Sequence, residues 1–368
     1  MTKKESKQIK DAIREPRSAS RVPGKDELLS TGSTLLNLAL TGTTTGGFAK
    51  GKYFWFVGDS SSGKTFFCLT CMAEAAINPN FSEYDLIFDN AEDGALMKLE
   101  QYFGAAMAAR LQPPAWSKEG EPLNSRYLED FYFHLDDRLI QVEQGKAKPF
   151  IYVLDSLDAL DTKYGRRKFN EQKDADRKGT KAKGDYGDGK AKINSQWIRG
   201  IRARVQDTGS VLIIISQTRD DMEGQMFSRG KASGGRALKF YATCQIWSSV
   251  GAAIKKTVHG DARKIGQIIK LNTVKNRMSG KDWEVVVPFY FSYGIDDIGS
   301  CIDFMVKCSA WPESNGSIKV DELQFKGRRA TLIKQIEDNG WEEDVRLAVK
   351  AVWKDIEAKC DLKRKPRY

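Results

Sequence analysis

Histidine is almost missing from this chain: 368 residues contain two, His134 and His259. Neither stands among partner residues, which argues against histidine-based catalysis. Cysteine is sparse too, with six scattered at positions 68, 71, 244, 301, 308 and 360. That is too few for a disulfide scaffold and predicts a reducing compartment, the cytoplasm. Cys68 and Cys71 form a C-x-x-C without a second pair to complete a metal site, so they read as packed, inert thiols. No apolar run reaches the length of a membrane span, so no membrane partner is expected. Met1 to Arg14 is basic and polar and does not read as a secretory signal. The 32 glycines have no period of three, which excludes a fibrous repeat, and no other internal repeat is visible. A hydrophobic fraction of 40% with 29% charged residues excludes overall disorder.

What the chain does have is positive charge. Fifty-nine Lys and Arg against 49 Asp and Glu give a net of +10, which favours a polyanionic partner, nucleic acid first. The length suits one large core with a smaller companion. The expected divisions are a basic N-terminal segment, 1–29, serving as a possible oligomerisation arm, a core over 30–299, and a small C-terminal unit over 300–368 with a basic tail.

Short apolar runs alternate with helical stretches. Residues 52–58, 84–89, 150–155 and 211–216 read as buried strands, and 66–77 and 94–111 as helices. Residues 131–134 look strand-like, and 135–143 helical. Ser33 or Thr34 caps a helix that begins near Leu35. Continuous apolar strands alternating with helices predict an α/β fold with a mostly parallel central sheet flanked by helices. Strands without crossover helices follow from about residue 242, which predicts antiparallel additions at the sheet edge. The end of the chain reads as a small α/β lobe, with a strand at 317–320 and helices at 331–337 and 342–358.

Gly58-Asp59-Ser60-Ser61-Ser62-Gly63-Lys64-Thr65 fits GxxxxGK[ST], with a buried strand entering and a helix leaving. The glycines let backbone N–H groups wrap phosphates, and the helix N-terminus adds a favourable field. Lys64 is the expected partner of the β- and γ-phosphates, and the Thr65 hydroxyl of Mg²⁺. These residues predict ATP and Mg²⁺ as cofactors. Asp155 ends the third strand, where a parallel sheet presents groups to a ligand, and is expected to hold Mg²⁺ through water. Glu92, just past the second strand, is the candidate general base, with Asp89 and Asp93 as close competitors. Gln217 ends the fourth strand, placed to sense the γ-phosphate and pass its presence to the following segment.

Two basic segments leave the strand ends. Residues 163–192 carry eleven Lys or Arg against five acids and few apolar anchors, which predicts a long unstructured loop. Arg166, Arg167, Lys168, Lys178, Lys181 and Lys183 there suit phosphate-backbone contact, with Tyr164, Phe169 and Tyr186 available to stack on bases. A solvated insertion is the alternative. The second segment, 218–235, carries Arg219, Arg229 and Lys231, followed by Arg236. Its Met226-Phe227 pair either tucks back onto the protein or wedges between bases.

Taken together, these segments resemble the RecA-type recombinases over about residues 29–310. Ser30-Thr-Gly-Ser33 with Leu36-Asn-Leu-Ala-Leu40 is similar to the family's segment before the first core strand. Ala91-Glu92 resembles its catalytic glutamate segment, Asp155-Ser156 its Mg²⁺-side strand end, and Ser216-Gln217-Thr-Arg219 its switch strand. Met226-Phe227 and Gly234 to Tyr241 are the most specific matches.

The resemblance implies a RecA-like ATPase core with DNA loops at 162–192 and 218–235. Lys275 and Arg277, in Val274-Lys-Asn-Arg277, resemble the basic pair that acts on ATP held by a neighbouring subunit. The implied activity is DNA-stimulated ATP hydrolysis in a filament on single-stranded DNA that pairs it with a homologous duplex. Self-association and single-strand-binding or mediator proteins are the implied partners. A ring-shaped helicase-like ATPase and a mediator or annealing protein with slow ATPase are the alternatives. The first loop is longer and more basic than usual, residues 110–130 look inserted, and the tail Lys363-Arg-Lys-Pro-Arg367 is basic. Such divergence implies a phage or mobile-element version acting in a bacterial host's cytoplasm.

Overall fold

A computed structural model describes residues 22–95, 97–180, 189–219 and 231–365. Its centre is a ten-stranded sheet. In chain order the strands are β1 (Tyr53–Gly58), β2 (Asp85–Asn90), β3 (Leu111–Gln112), β4 (Phe150–Asp155), β5 (Val211–Arg219), β6 (Lys231–Ala232), β7 (Cys244–Val258), β8 (Asp261–Asn276), β9 (Glu284–Tyr290) and β10 (Gly294–Ile295). Spatially they run β10-β9-β8-β7-β1-β5-β4-β2-β3, with β6 pairing only to β5. The contacts from β7 through β1, β5, β4 and β2 to β3 are parallel. Those joining β7, β8, β9 and β10 are antiparallel, as the missing crossover helices predict.

The parallel strands are buried on both faces because their side chains alternate between two apolar layers. Phe54 and Phe56 of β1 face one layer with Ile151, Val153, Ile213 and Ile215. Tyr53, Trp55 and Val57 face the other with Tyr152, Leu154, Leu212 and Ile214. On the first face pack α1 (Thr34–Thr41), α2 (Lys64–Ile77) and α3 (Leu99–Arg110). On the second pack α4 (Leu128–Glu143), α6 (Gly189–Thr208) and α7 (Arg236–Tyr241), while α5 (Lys163–Arg177) contributes nothing to either buried layer. Ser33 caps α1 by accepting from the Leu36 N–H. The chain ends in α8 (Asp297–Lys307), α9 (Arg329–Asn339) and α10 (Glu342–Cys360) around a three-stranded sheet that includes Ser317–Val320. Trp311, Leu332, Ile336, Val349 and Trp353 there continue the first apolar layer.

Two expectations need correction. Residues 131–134 are not a strand but part of α4, which buries Leu128, Phe131, Tyr132, Leu135 and Leu139. That spacing is one helical stripe, and a four-residue window is too short to reveal it. Nor is 163–192 a continuous loop. Lys163–Arg177 forms α5 without burying any residue, and Gly189–Thr208 forms α6. Helical order in α5 comes from local bonds that composition does not register: the Thr162 hydroxyl accepts from the Gly165 N–H at 2.9 Å, and Lys168 pairs with Glu171 at 2.8 Å. Among the described residues, no helix is long and apolar enough to cross a membrane.

Candidate nucleotide site and its flanking segments

Four parallel strands end side by side, with Gly58 opposite Gln217 and Asn90 opposite Asp155. The phosphate-loop sequence leaves the first of them. A Cβ at Gly58 would lie 2.3 Å from the Ser248 carbonyl oxygen, so only glycine lets β1 turn there against β7. Gly63 takes φ 82°, left-handed, and α2 starts at the next residue. Ser62 ties the loop down, sharing a 2.7 Å bond with the Ser248 hydroxyl and donating to the Asp59 carbonyl at 2.7 Å. Lys64 donates to the carbonyls of Gly58 at 2.9 Å and Asp59 at 2.6 Å. Burial lowers the Lys64 pKa, against the pull of Asp155, Glu92, Asp59 and Asp158.

Thr65 donates its hydroxyl to Asp155 Oδ2 at 2.6 Å. Asp155 is 4% exposed, and its pKa is pushed up to about 6. Burial is the main cause; the Thr65 bond and the Lys64 charge oppose it, and the Glu92 charge adds to it. A hydroxyl and a carboxylate in contact beside a phosphate loop are hard oxygen donors. They suit Mg²⁺, which takes one or two protein ligands and completes its shell with water and phosphate. The described residues hold no cluster of three or more His, Cys, Asp or Glu that could hold a metal ion.

The three acids near β2 part company. Asp89 is buried and accepts from the Ser125 N–H at 2.8 Å, the Ser125 hydroxyl at 2.6 Å and the Tyr152 hydroxyl at 2.7 Å. Asp93 is exposed and does not line the cleft, whereas Glu92 does. Glu92 accepts from the Ser156 hydroxyl and, at 2.9 Å, from Gln217 Nε2. Gln217 is itself held, its N–H donating to Asp158 Oδ2 at 2.7 Å. The next residue, Thr218, bonds its hydroxyl to Asp59 of the phosphate loop.

Together Ser60 to Phe66, Glu92, Asp155 and Gln217 border one open cleft of about 380 Å³. Its remaining wall is not legible in the sequence: Met97, Lys264, Gln267, Phe289 and Phe291. The aromatics are set by Phe66, whose ring lies 4.9 Å from Phe289, and by Tyr102, which donates to the Phe291 carbonyl at 2.9 Å. Lys275 and Arg277 lie elsewhere. Lys275 Nζ donates to the carbonyls of Lys239 at 2.5 Å and Phe240 at 2.8 Å, and Arg277 sits 5.8 Å from the Phe240 ring.

Arg166, Arg167, Lys168 and Lys178 lie on or just after α5, and Arg236 opens α7, exposed. Arg166 lies 5.3 Å from the Phe169 ring and Lys168 Nζ 5.7 Å from the Tyr164 ring. Lys181, Lys183, Met226, Phe227 and Arg229 fall outside the described residues; Arg219 and Lys231 are described only as the paired backbone of β5 and β6. A buried residue missed by sequence reading joins the two segments. Asn194 of α6 donates to the Gly234 carbonyl at 2.8 Å and accepts from the Tyr132 hydroxyl at 2.8 Å. Gly234 adopts φ 90°, and a Cβ there would strike Leu157 at 2.4 Å.

The sheet and its strand-end loop define a phosphate-loop α/β protein with a RecA-like core. The family model described as RecA N-terminal domain matches residues 175–296, the stretch from the end of α5 through β10. Protein RecA of Streptococcus parasanguinis is 26% identical over 316 residues, covering 82% of this chain and 71% of the relative. Protein RecA of Streptococcus pneumoniae (strain Hungary19A-6) is 26% identical over 311 residues, covering 80% and 69%. These matches support a divergent RecA-type protein. At family level they support a RecA-like recombinase with ATP and DNA binding.

Proposed function

We propose that the chain is a DNA-stimulated ATPase that assembles as a filament on single-stranded DNA and pairs it with a homologous duplex. The observation that carries this reading is the 2.9 Å bond from Gln217 to Glu92. It joins the candidate base to the residue just before the segment 218–235, so nucleotide in the cleft would act on that segment through Gln217. Glu92 orients and deprotonates the attacking water. Lys64 releases its carbonyl partners and turns its ammonium to the β- and γ-phosphates. Thr65 and Asp155 would hold Mg²⁺, which would neutralise charge on the phosphates. Lys275 and Arg277 serve the cleft of an adjacent copy, Lys275 leaving the carbonyls of Lys239 and Phe240 and Arg277 leaving the Phe240 ring. The basic helix α5 and the segment 218–235 grip the DNA backbone, while base pairing reads homology. In this scheme residues 1–29 are the docking arm, 30–299 the ATPase core, and 300–368 an accessory unit.

The test is imaging of the protein on long single-stranded DNA with a non-hydrolysable ATP analogue, beside a nucleotide-free control. Extended helical filaments that require nucleotide are the expected result. Closed rings move the assignment to a helicase-like ATPase, and scattered particles to a mediator or annealing protein.

A further inference from the structure

The cleft holds a second ammonium that a phosphate loop does not call for. Lys264 lies on β8, in the antiparallel part of the sheet, and borders the cleft beside Phe291. It is anchored through Gln267, which is 4% exposed and uses both ends of its amide. Gln267 Nε2 donates to the Ser61 carbonyl at 2.6 Å, and its Oε1 accepts from Lys264 Nζ at 2.8 Å. Ser61 is a non-glycine residue at φ 60°, in the left-handed region that side chains disfavour, and the bond from Gln267 holds its carbonyl there. Lys264 Nζ also stands 5.5 Å from the Phe291 ring, between the phosphate loop and the aromatic wall. The strand beneath is fixed closely: a Cβ at Gly266 would lie 2.3 Å from the Phe289 carbonyl oxygen.

Several other surface lysines among the described residues are held by carboxylates, as Lys163 is by Asp130 and Lys359 by Asp355. Lys264 is instead held by a neutral amide and a ring, which orient its charge without neutralising it. An oriented, uncompensated cation at the rim of an anion-binding loop raises affinity for a polyanion. We infer that Lys264 is a further nucleotide-binding residue, which selects nucleotides carrying a polyphosphate over the bare nucleoside. The inference rests on reading the cleft as the ATP site.

The test is equilibrium binding of ATP, ADP and adenosine to the full chain without DNA. Lys264→Met, which keeps the stem and removes the charge, weakens ATP and ADP about tenfold, the scale of one charge-assisted hydrogen bond. Adenosine binding stays unchanged, and Lys264→Arg recovers ATP binding. Wild-type ATP affinity in Lys264→Met, with the affinity reduced in Lys64→Ala, overturns the inference and leaves the ATP site standing. An equal loss for adenosine also overturns it, because the lysine then acts on the base. A wild-type chain that binds no ATP overturns the inference and the site together.

Discussion

Glu92→Gln separates chemistry from architecture at the cleft. The substituted amide oxygen still accepts from Gln217 Nε2 and from the Ser156 hydroxyl, the two bonds that hold Glu92. Both become neutral bonds, and at an exposed position this costs about 1 kcal/mol, less than a factor of ten. Loss of a general base costs about 10²- to 10⁴-fold, or about 3 to 5 kcal/mol of transition-state stabilisation. The second effect dominates, so DNA-stimulated turnover falls by about two to four decades. ATP affinity does not weaken. The Glu92 charge is one reason the Asp155 pKa is raised, and removing it lets Asp155 ionise more readily beside Thr65. The assay is phosphate release at saturating ATP and single-stranded DNA, paired with equilibrium ATP binding and with Asp93→Asn as the neighbour control. Turnover within tenfold of wild type, or the large loss appearing in Asp93→Asn instead, refutes the assignment of Glu92 as base.

Two further outcomes follow from charge. Burial and the neighbouring Arg277 push the Lys275 pKa down to about 8, so this ammonium is mostly protonated at pH 7 and mostly neutral at pH 9. DNA-stimulated hydrolysis therefore declines between those values, and Lys275→Arg flattens the decline; a wild-type profile unaltered in the variant contradicts a role for its charge. On α5, replacing exposed Arg166 and Arg167 together with Ala leaves the helix intact, since alanine is the best helix former. It lowers the slope of log affinity for single-stranded DNA against log salt by about 1.4, at ~0.7 per lost phosphate contact. Titrations at several salt concentrations that give an unchanged slope remove these two arginines from the interface.

The sequence is most legible where structure depends on neighbours along the chain. The apolar run 53–58 must be buried on both faces, and the glycines and Lys64 that follow it define a loop without reference to anything distant. Strand-end logic also places Glu92, Asp155 and Gln217 around one opening, because parallel strands present their C-terminal ends together. Reading fails where order is either more local or more distant than the window used. Helix α5 is set by a cap and side-chain pairs that net charge conceals. Phe289, Phe291 and Lys264 join the cleft only through the pairing of β8 with β9, some 200 residues after the phosphate loop.

That long-range pairing also bears on how the cleft communicates. Three bonds reach the loop or the base from two strands: Gln267 to Ser61 from β8, Thr218 to Asp59 from β5, and Gln217 to Glu92 across from β5 to the end of β2. The two that come from β5 belong to adjacent residues, so any rearrangement that frees Gln217 from Glu92 pulls on Asp59 as well. Beyond them the chain returns as β6, which pairs back onto β5 and leads to Gly234, whose carbonyl is held by Asn194. Helix α6, which carries Asn194, follows the basic segment that begins with α5. The second basic segment is thereby tied at one end to the cleft through Gln217 and at the other to α6 through Asn194. A phosphate that displaces either Thr218 from Asp59 or Gln217 from Glu92 acts on this shared frame rather than on one loop alone.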